Sequence, residues 1–182
     1  MQIEDTELAE VKIIRPKRHG DARGFFSEVW NSAAFAEAGL DLQFVQDNHV
    51  LNGPKGIVRG LHLQVDPDPQ GKLIRCCRGA ILDIAVDVRR GSPGFGRHVA
   101  VELSGENWAQ LWVPPGFAHG YCTLTDSAEV LYKVTGLYNP TAERGIRFDD
   151  PDIGIDWPVA LDEAVLSDKD RVLPSLKEFG GV

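Results

Sequence analysis

Two short segments each carry one imidazole among apolar neighbours: Arg59-Gly60-Leu61-His62-Leu63-Gln64 and Pro114-Pro115-Gly116-Phe117-Ala118-His119. Both read as β-type segments, and two histidines facing one another inside a barrel make a polar site in an apolar space. An imidazole with an unperturbed pKa of about 6.5 is substantially neutral at pH 7 and still basic, which suits His62 to proton abstraction. A metal cage is the other chemistry that paired histidines suggest. Such a cage usually has a second His where Gln64 stands and a Glu shortly after, and an open catalytic site takes about three protein ligands. Two histidines and an amide leave that cage incomplete, so no metal is expected.

Positioning these side chains requires strands, and the chain is punctuated for them. Its 19 glycines and 11 prolines separate short alternating segments, the pattern of an all-β sandwich or barrel. The clearest strand is 80–88, with Ala80, Leu82, Ile84, Val86 and Val88 on one face and Ile81, Asp83, Ala85 and Asp87 on the other. Further strands are expected at 11–15, 43–50, 57–64, 72–78, 97–103, 109–113, 119–124 and 128–134. A short helix is expected over 31–38, capped by Asn31 or Ser32 and stopped by Gly39, and the tail after Leu161 has weak helical character. In an unbroken strand Arg59 points away from His62. A bulge at Gly60 rotates it back toward the same space, and that irregularity is predicted here. Tyr132 shares a strand face with Val130 and Val134, the one polar tip in an apolar row.

At 182 residues the chain is expected to form a single domain spanning 1–182, large enough to bury a core without disulfides. The balance of 19 Lys and Arg against 27 Asp and Glu, net −8, argues against a broad nucleic-acid surface. A small anionic ligand stays open if basic side chains converge locally. Cys76, Cys77 and Cys122 imply no disulfide framework, and a reduced, cytoplasmic compartment is the default expectation. The acidic start is unlike a secretory signal, and no apolar run reaches the roughly 18 residues of a membrane span.

Jointly, the motifs Arg23-Gly24-Phe25-Phe26-Ser27-Glu28, Gln46-Asp47-Asn48, the Arg59 to Gln64 hexapeptide, Gly71-Lys72-Leu73-Ile74-Arg75, Gly116-Phe117-Ala118-His119-Gly120, Tyr132-Lys133-Val134-Thr135, Glu143 and Ser167-Asp168-Lys169-Asp170 follow a family order. The chain resembles the dTDP-4-dehydrorhamnose 3,5-epimerase family, whose fold is a double-stranded β-helix, the jelly-roll, cupin-type barrel. The resemblance implies a nucleotide-linked 4-keto-6-deoxyhexose as substrate and inversion of the carbons flanking the ketone. Both carbons are α to a carbonyl, so loss of a proton gives an enolate, and no cofactor is needed. The chemistry asks for a base on one face, an acid on the other and a donor or positive charge at the oxyanion.

By this resemblance His62 is the base, oriented by Asp170, with Asp83 as the other candidate partner. Tyr132 is the acid, whose pKa of about 10 has to be lowered or its proton relayed. Lys72 offsets the enolate charge. Arg23, Arg59 and Lys169 match diphosphate and base contacts, as guanidinium forks suit phosphate oxygens. Gln46, Asn48, Glu28, Glu143 and His119 match other ligand contacts, and Tyr138 the ring that stacks on thymine. For His119 a structural role, closing the Pro-Pro-Gly turn, remains open. The four tryptophans and three cysteines are read as packing residues.

Phe148 stands where the family pattern has Trp, and Gly136 where a polar residue is usual. Relatives that epimerise only one carbon share nearly all the motifs, so a 3-only or 5-only epimerase is the nearest alternative. A metal-dependent cupin enzyme and a non-catalytic sugar-binding jelly roll are the rivals from other classes. The N-terminal strand from Val11 is expected to lie at an edge and add to a second subunit, and the family is similarly homodimeric.

Overall fold

The computed structural model describes residues 1–182. Strands run β1 (Gln2–Asp5), β2 (Lys12–Arg15), β3 (His19–Asp21), β4 (Gly24–Phe26), β5 (Gln46–Leu51), β6 (Val58–Gln64), β7 (Lys72–Arg78), β8 (Ala80–Asp87), β9 (His98–Ser104), β10 (Gln110–Val113), β11 (Phe117–Thr123), β12 (Glu129–Val134) and β13 (Glu143–Gly145). Helices are α1 (Ser32–Glu37), α2 (Leu176–Phe179) and a 3-10 turn at Asp170–Val172. One sheet has the order β1-β2-β10-β7-β12-β5, the other β13-β6-β11-β8-β9, and β3 pairs only with β4. All these pairings are antiparallel. The two large sheets face each other as the jelly roll expected from the resemblance.

Strand parity sorts the side chains into three apolar layers. Ile74, Cys76, Ile81, Ala85, Leu111 and Val130 fill the space between the sheets. The alternate residues of β8, Ile84 and Val86, turn outward and are covered by the C-terminal segment through Ile146, Phe148, Trp157 and Leu176. On the other sheet, Leu73, Ile14 and Trp112 turn outward against Phe35 of α1. That helix starts where the Asn31 side chain accepts the Ala34 N–H at 3.1 Å, as the capping pattern requires. Burying Phe35, at 1% exposure, supplies on the order of 2 kcal/mol and fixes the helix to the sheet.

The sheet that carries both motif histidines is therefore buried on its two faces, which makes its inner polar residues conspicuous. Asp83 and Asp87 lie on the inner face of β8, both 0% exposed. Asp87, the last residue of β8, accepts from Arg89 at 2.7 and 2.9 Å. Asp83 lies nearer the other end, beside His119.

Two sequence expectations change here. β2 is not an edge: it runs between β1 and β10, so β1 is the strand with a free side. The reason is that Gln2–Asp5, with a single apolar residue, still pairs along all of β2 and satisfies its backbone. Also unforeseen are the β3–β4 hairpin and β13, three-residue strands whose side chains are mostly exposed or half-buried and carry no alternation to read.

Candidate active site

At the open end of the barrel a cavity of about 270 Å³ is walled by both sheets and by the C-terminal turn. Arg59 and His62 reach it together because β6 carries an extra residue. His62 pairs with His119 and Arg59 with Tyr121, so two residues of β6 oppose one of β11. Gly60 takes φ +129°, and a Cβ there would sit 2.6 Å from the Gly120 Cα, so only glycine permits the bulge and the close strand approach together.

The His62 Nε2 lies 2.6 Å from Asp170 Oδ1. A carboxylate at Nε2 favours the ring proton there and leaves the lone pair on Nδ1. Asp170 is held in its turn by the Ser167 hydroxyl, which accepts the Asp170 N–H at 3.2 Å. Burial pushes the Asp170 carboxyl up, but the hydrogen bond and charge of His62 outweigh it and hold the group below its ordinary value. Asp83, the other candidate partner, is bonded instead to His119, 2.8 Å from its Nε2. His119 thus sits mid-strand with a carboxylate of its own, not at the Pro-Pro-Gly turn.

Lys72, first residue of β7, lines the same cavity and its Nζ donates to the His62 carbonyl at 3.3 Å. Loss of solvation brings its ammonium down to about 8, against the opposing pull of Glu143 and Asp83. Tyr132 projects from β12 into the cavity. Burial raises its phenol, with Arg59 opposing, so its pKa moves up where the sequence argument asked for a lowered value or a relay. The physical reason is the apolar row it stands in, Val130 and Val134, both fully buried. At the mouth, the Tyr138 hydroxyl donates to Glu143 at 2.9 Å and Lys169 Nζ lies 2.5 Å from the same carboxylate.

The model of the dTDP-4-dehydrorhamnose 3,5-epimerase family matches residues 5–178. The chain is 52% identical over 179 residues to dTDP-4-dehydrorhamnose 3,5-epimerase of Sinorhizobium fredii, covering 98% of this chain and 91% of that one. The chain belongs to this family. Among solved structures, dTDP-6-deoxy-D-glucose-3,5-epimerase from Legionella pneumophila in complex with dTDP-4-keto-L-rhamnose superposes with a TM-score of 0.92 at 45% identity, covering 97% and 93% of the two chains. The Bacillus anthracis dTDP-4-dehydrorhamnose 3,5-epimerase with TDP and PPi bound gives 0.92 at 41% identity, covering 96% and 98%.

Of the family-matched positions, His62, Lys72, Asp170, Tyr132, Arg59, His119, Tyr138, Glu143 and Lys169 converge on the cavity. Four do not. Arg23 stands exposed beside the β3–β4 hairpin, paired with Asp21 at 2.6 Å, and Glu28 accepts from the Asn31 side chain at 3.2 Å. Both are displaced because the hairpin pairs with neither large sheet. Gln46 and Asn48 bond one another at 2.8 Å on β5 and flank the cavity wall, with Asn48 opposite Tyr132; Val50, next on that face, does line it.

Gln64, Gln70, Tyr121 and Ser167, none of which is assigned a ligand contact from sequence, also line the cavity. Tyr121, two residues after His119, shares its strand face by parity, the one signal in the sequence for it. Burial pushes its phenol up to about 12, against Arg59 and the Asn52 side chain. Asn52 accepts from Arg59 Nε at 2.9 Å and from the Tyr121 hydroxyl at 3.3 Å, so it fixes the guanidinium that faces the cavity. No three His, Cys, Asp or Glu side chains converge as a metal ion would need.

Proposed function

We propose that this protein epimerises a dTDP-4-keto-6-deoxyhexose at C3 and C5, converting dTDP-4-dehydro-6-deoxyglucose to dTDP-4-dehydrorhamnose, in dTDP-rhamnose biosynthesis. The observation that carries the reading is an accessible imidazole hydrogen-bonded to a buried carboxylate, in one cavity with a phenol and an ammonium. His62 removes the proton α to the ketone through Nδ1 while Asp170 stabilises the imidazolium. Electron density moves to the ketone oxygen, and Lys72 offsets its charge. Tyr132 then delivers a proton from the opposite face. A phenol raised by burial stays protonated at neutral pH, and the enolate carbon is basic enough to take that proton. His62 and Tyr132 are reset by exchange with solvent, so no cofactor enters.

Arg59 and Lys169 receive the diphosphate, Tyr138 stacks on the thymine, and Glu143, His119, Gln46 and Asn48 contact the remaining polar groups. Base stacking contributes roughly 1–3 kcal/mol in single-strand binding systems, enough to make the half-exposed ring at the mouth matter. Residues 1–182 act as one domain, as a homodimer. Supporting the dimer, Phe25 and Phe26 are 51% and 70% exposed on the separate hairpin, a surface that water disfavours. Arg23 and Glu28, beside that hairpin, contact substrate in the cavity of the second copy. A cytoplasmic location suits three unpaired thiols, and no helix is long and apolar enough to cross a membrane.

Incubating purified protein with dTDP-4-keto-6-deoxyglucose and reading the product by NMR tests the reaction. Inversion at both carbons is expected; unchanged substrate refutes the reading, and inversion at one carbon limits it to that centre. Light scattering is expected to give twice the chain mass at micromolar concentration, and a monomer mass overturns the dimer.

A further inference from the structure

Gln64 is 4% exposed, and its amide is fully occupied. Nε2 donates to the Asp68 carbonyl at 2.9 Å and to the Leu137 carbonyl at 3.1 Å, while Oε1 accepts the Asn139 N–H at 2.8 Å. Both amide hydrogens and the oxygen are thus spent on backbone, two of the contacts on the residues either side of Tyr138. Burial does not hold that stretch, since Leu137 and Tyr138 are 66% and 56% exposed. Other supports act beside it: the Asn139 side chain donates to the Asp68 carboxylate at 2.5 Å, the Tyr138 hydroxyl to Glu143 at 2.9 Å, and Gln70 Nε2 to the Gly136 carbonyl at 2.7 Å, but only Gln64 bonds the backbone on both sides of Tyr138.

We propose that Gln64 is a positioning residue that sets nucleotide affinity by fixing the backbone on both sides of Tyr138. The inference rests on the reading of Tyr138 as the ring that stacks on the base. Gln64 lies two residues after His62 on β6, so one strand registers the proton-abstracting imidazole against the nucleotide-binding loop. A His or Glu at this position could not supply the same set. An imidazole has no pair of hydrogens on one nitrogen, and an ionised carboxylate would face two carbonyl oxygens with no donor at all. The side chain that departs from a metal-cage pattern is thereby accounted for by its hydrogen bonds.

The test is a double-mutant cycle on dTDP binding, by calorimetry, with Gln64→Met and Tyr138→Ala. Methionine keeps the length and removes the three hydrogen bonds; Gln64→Glu, which retains the Oε1 acceptor, keeps the test available if methionine disrupts the strand. Tyr138→Ala is expected to weaken dTDP roughly 5- to 100-fold, in the range of base stacking. Gln64→Met is expected to weaken it about tenfold, the effect of roughly one lost 1.4 kcal/mol, with KM rising far more than kcat falls. In the Tyr138→Ala background the Gln64 substitution should add little. An equal loss in both backgrounds, or no loss with Tyr138 intact, overturns the inference. Wild-type protein that does not bind dTDP refutes the nucleotide-sugar reading itself; wild-type binding with unchanged affinity in the Gln64 variants refutes the positioning role alone.

Discussion

The two histidine–aspartate pairs stand opposite each other on neighbouring strands, and they differ in almost everything but composition. His62 keeps 26% of its side chain accessible, and its partner Asp170 comes from a turn 108 residues along the chain. His119 keeps 9%, and its partner Asp83 is fully buried on the adjacent strand with one oxygen unpaired. A proton carrier has to reach both substrate and, between turnovers, solvent; both rings border the cavity, but the His62 ring has the greater access and the His119 ring little beyond its cavity edge. A His–Asp hydrogen bond alone therefore does not identify a base. Accessibility of the remaining ring nitrogen, and a carboxylate that stabilises the charged ring, separate the carrier from the fixed contact.

The strongest way to break this comparison is to remove each imidazole in turn. His62→Ala is expected to lower proton exchange at both substrate carbons by roughly 10²–10⁴-fold or more, the usual span of general acid–base catalysis. His119→Ala should cost distinctly less and appear largely in KM, as for a ligand contact. Deuterium incorporation followed by NMR measures both, and an equal loss of exchange in the two variants would erase the distinction.

Next in size is the pH dependence that Lys72 imposes. Its ammonium, brought down to about 8, is charged below that value and loses its proton as pH rises through it. The rate at saturating substrate is therefore expected to fall above about pH 8, by up to tenfold per unit when the charged form is required. Lys72→Arg should move that limb upward, since a guanidinium stays protonated beyond pH 12 or so. A limb that stays in place assigns it to another group.

The smallest effect expected is on stability in acid. The Asp170 carboxyl is held below its ordinary value in the folded chain, so its contribution is fully present above the unfolded value and is lost as pH falls through the lower folded one. Asp170→Asn should therefore melt below wild type near neutrality and converge with it as pH falls into the range where the wild-type carboxyl protonates. Curves that stay parallel across that range would show the carboxylate to be neutral to folding.

The apolar strands were legible because both faces of a buried sheet leave a pattern: Lys72–Arg78 has the bounds that alternation predicts, and the 80–88 segment splits between two cores as its parity requires. Gly60 was readable too, since a glycine inside a strand has few other uses. Asp170 was not readable from pattern. It sits in a polar turn whose packing against β6 depends on contacts far away in sequence, and only the family motif pointed to it over Asp83. Arg23 and Glu28 match the motif but lie off the cavity, because a motif carries no information about where a hairpin that pairs with neither large sheet will sit. Gln64 was noticed for the imidazole it lacks; its three hydrogen bonds are to backbone atoms, and backbone has no signature in the sequence.

If base and acid are separate groups acting on opposite faces of one keto-sugar, Tyr132→Phe in deuterated water separates their two steps. Phenylalanine leaves the ring in its apolar row and removes only the hydroxyl, and with it the transferable proton. This division of roles predicts that deuterium still enters the carbons beside the ketone, through His62, while inverted product falls sharply. Loss of exchange and inversion to the same extent would contradict it.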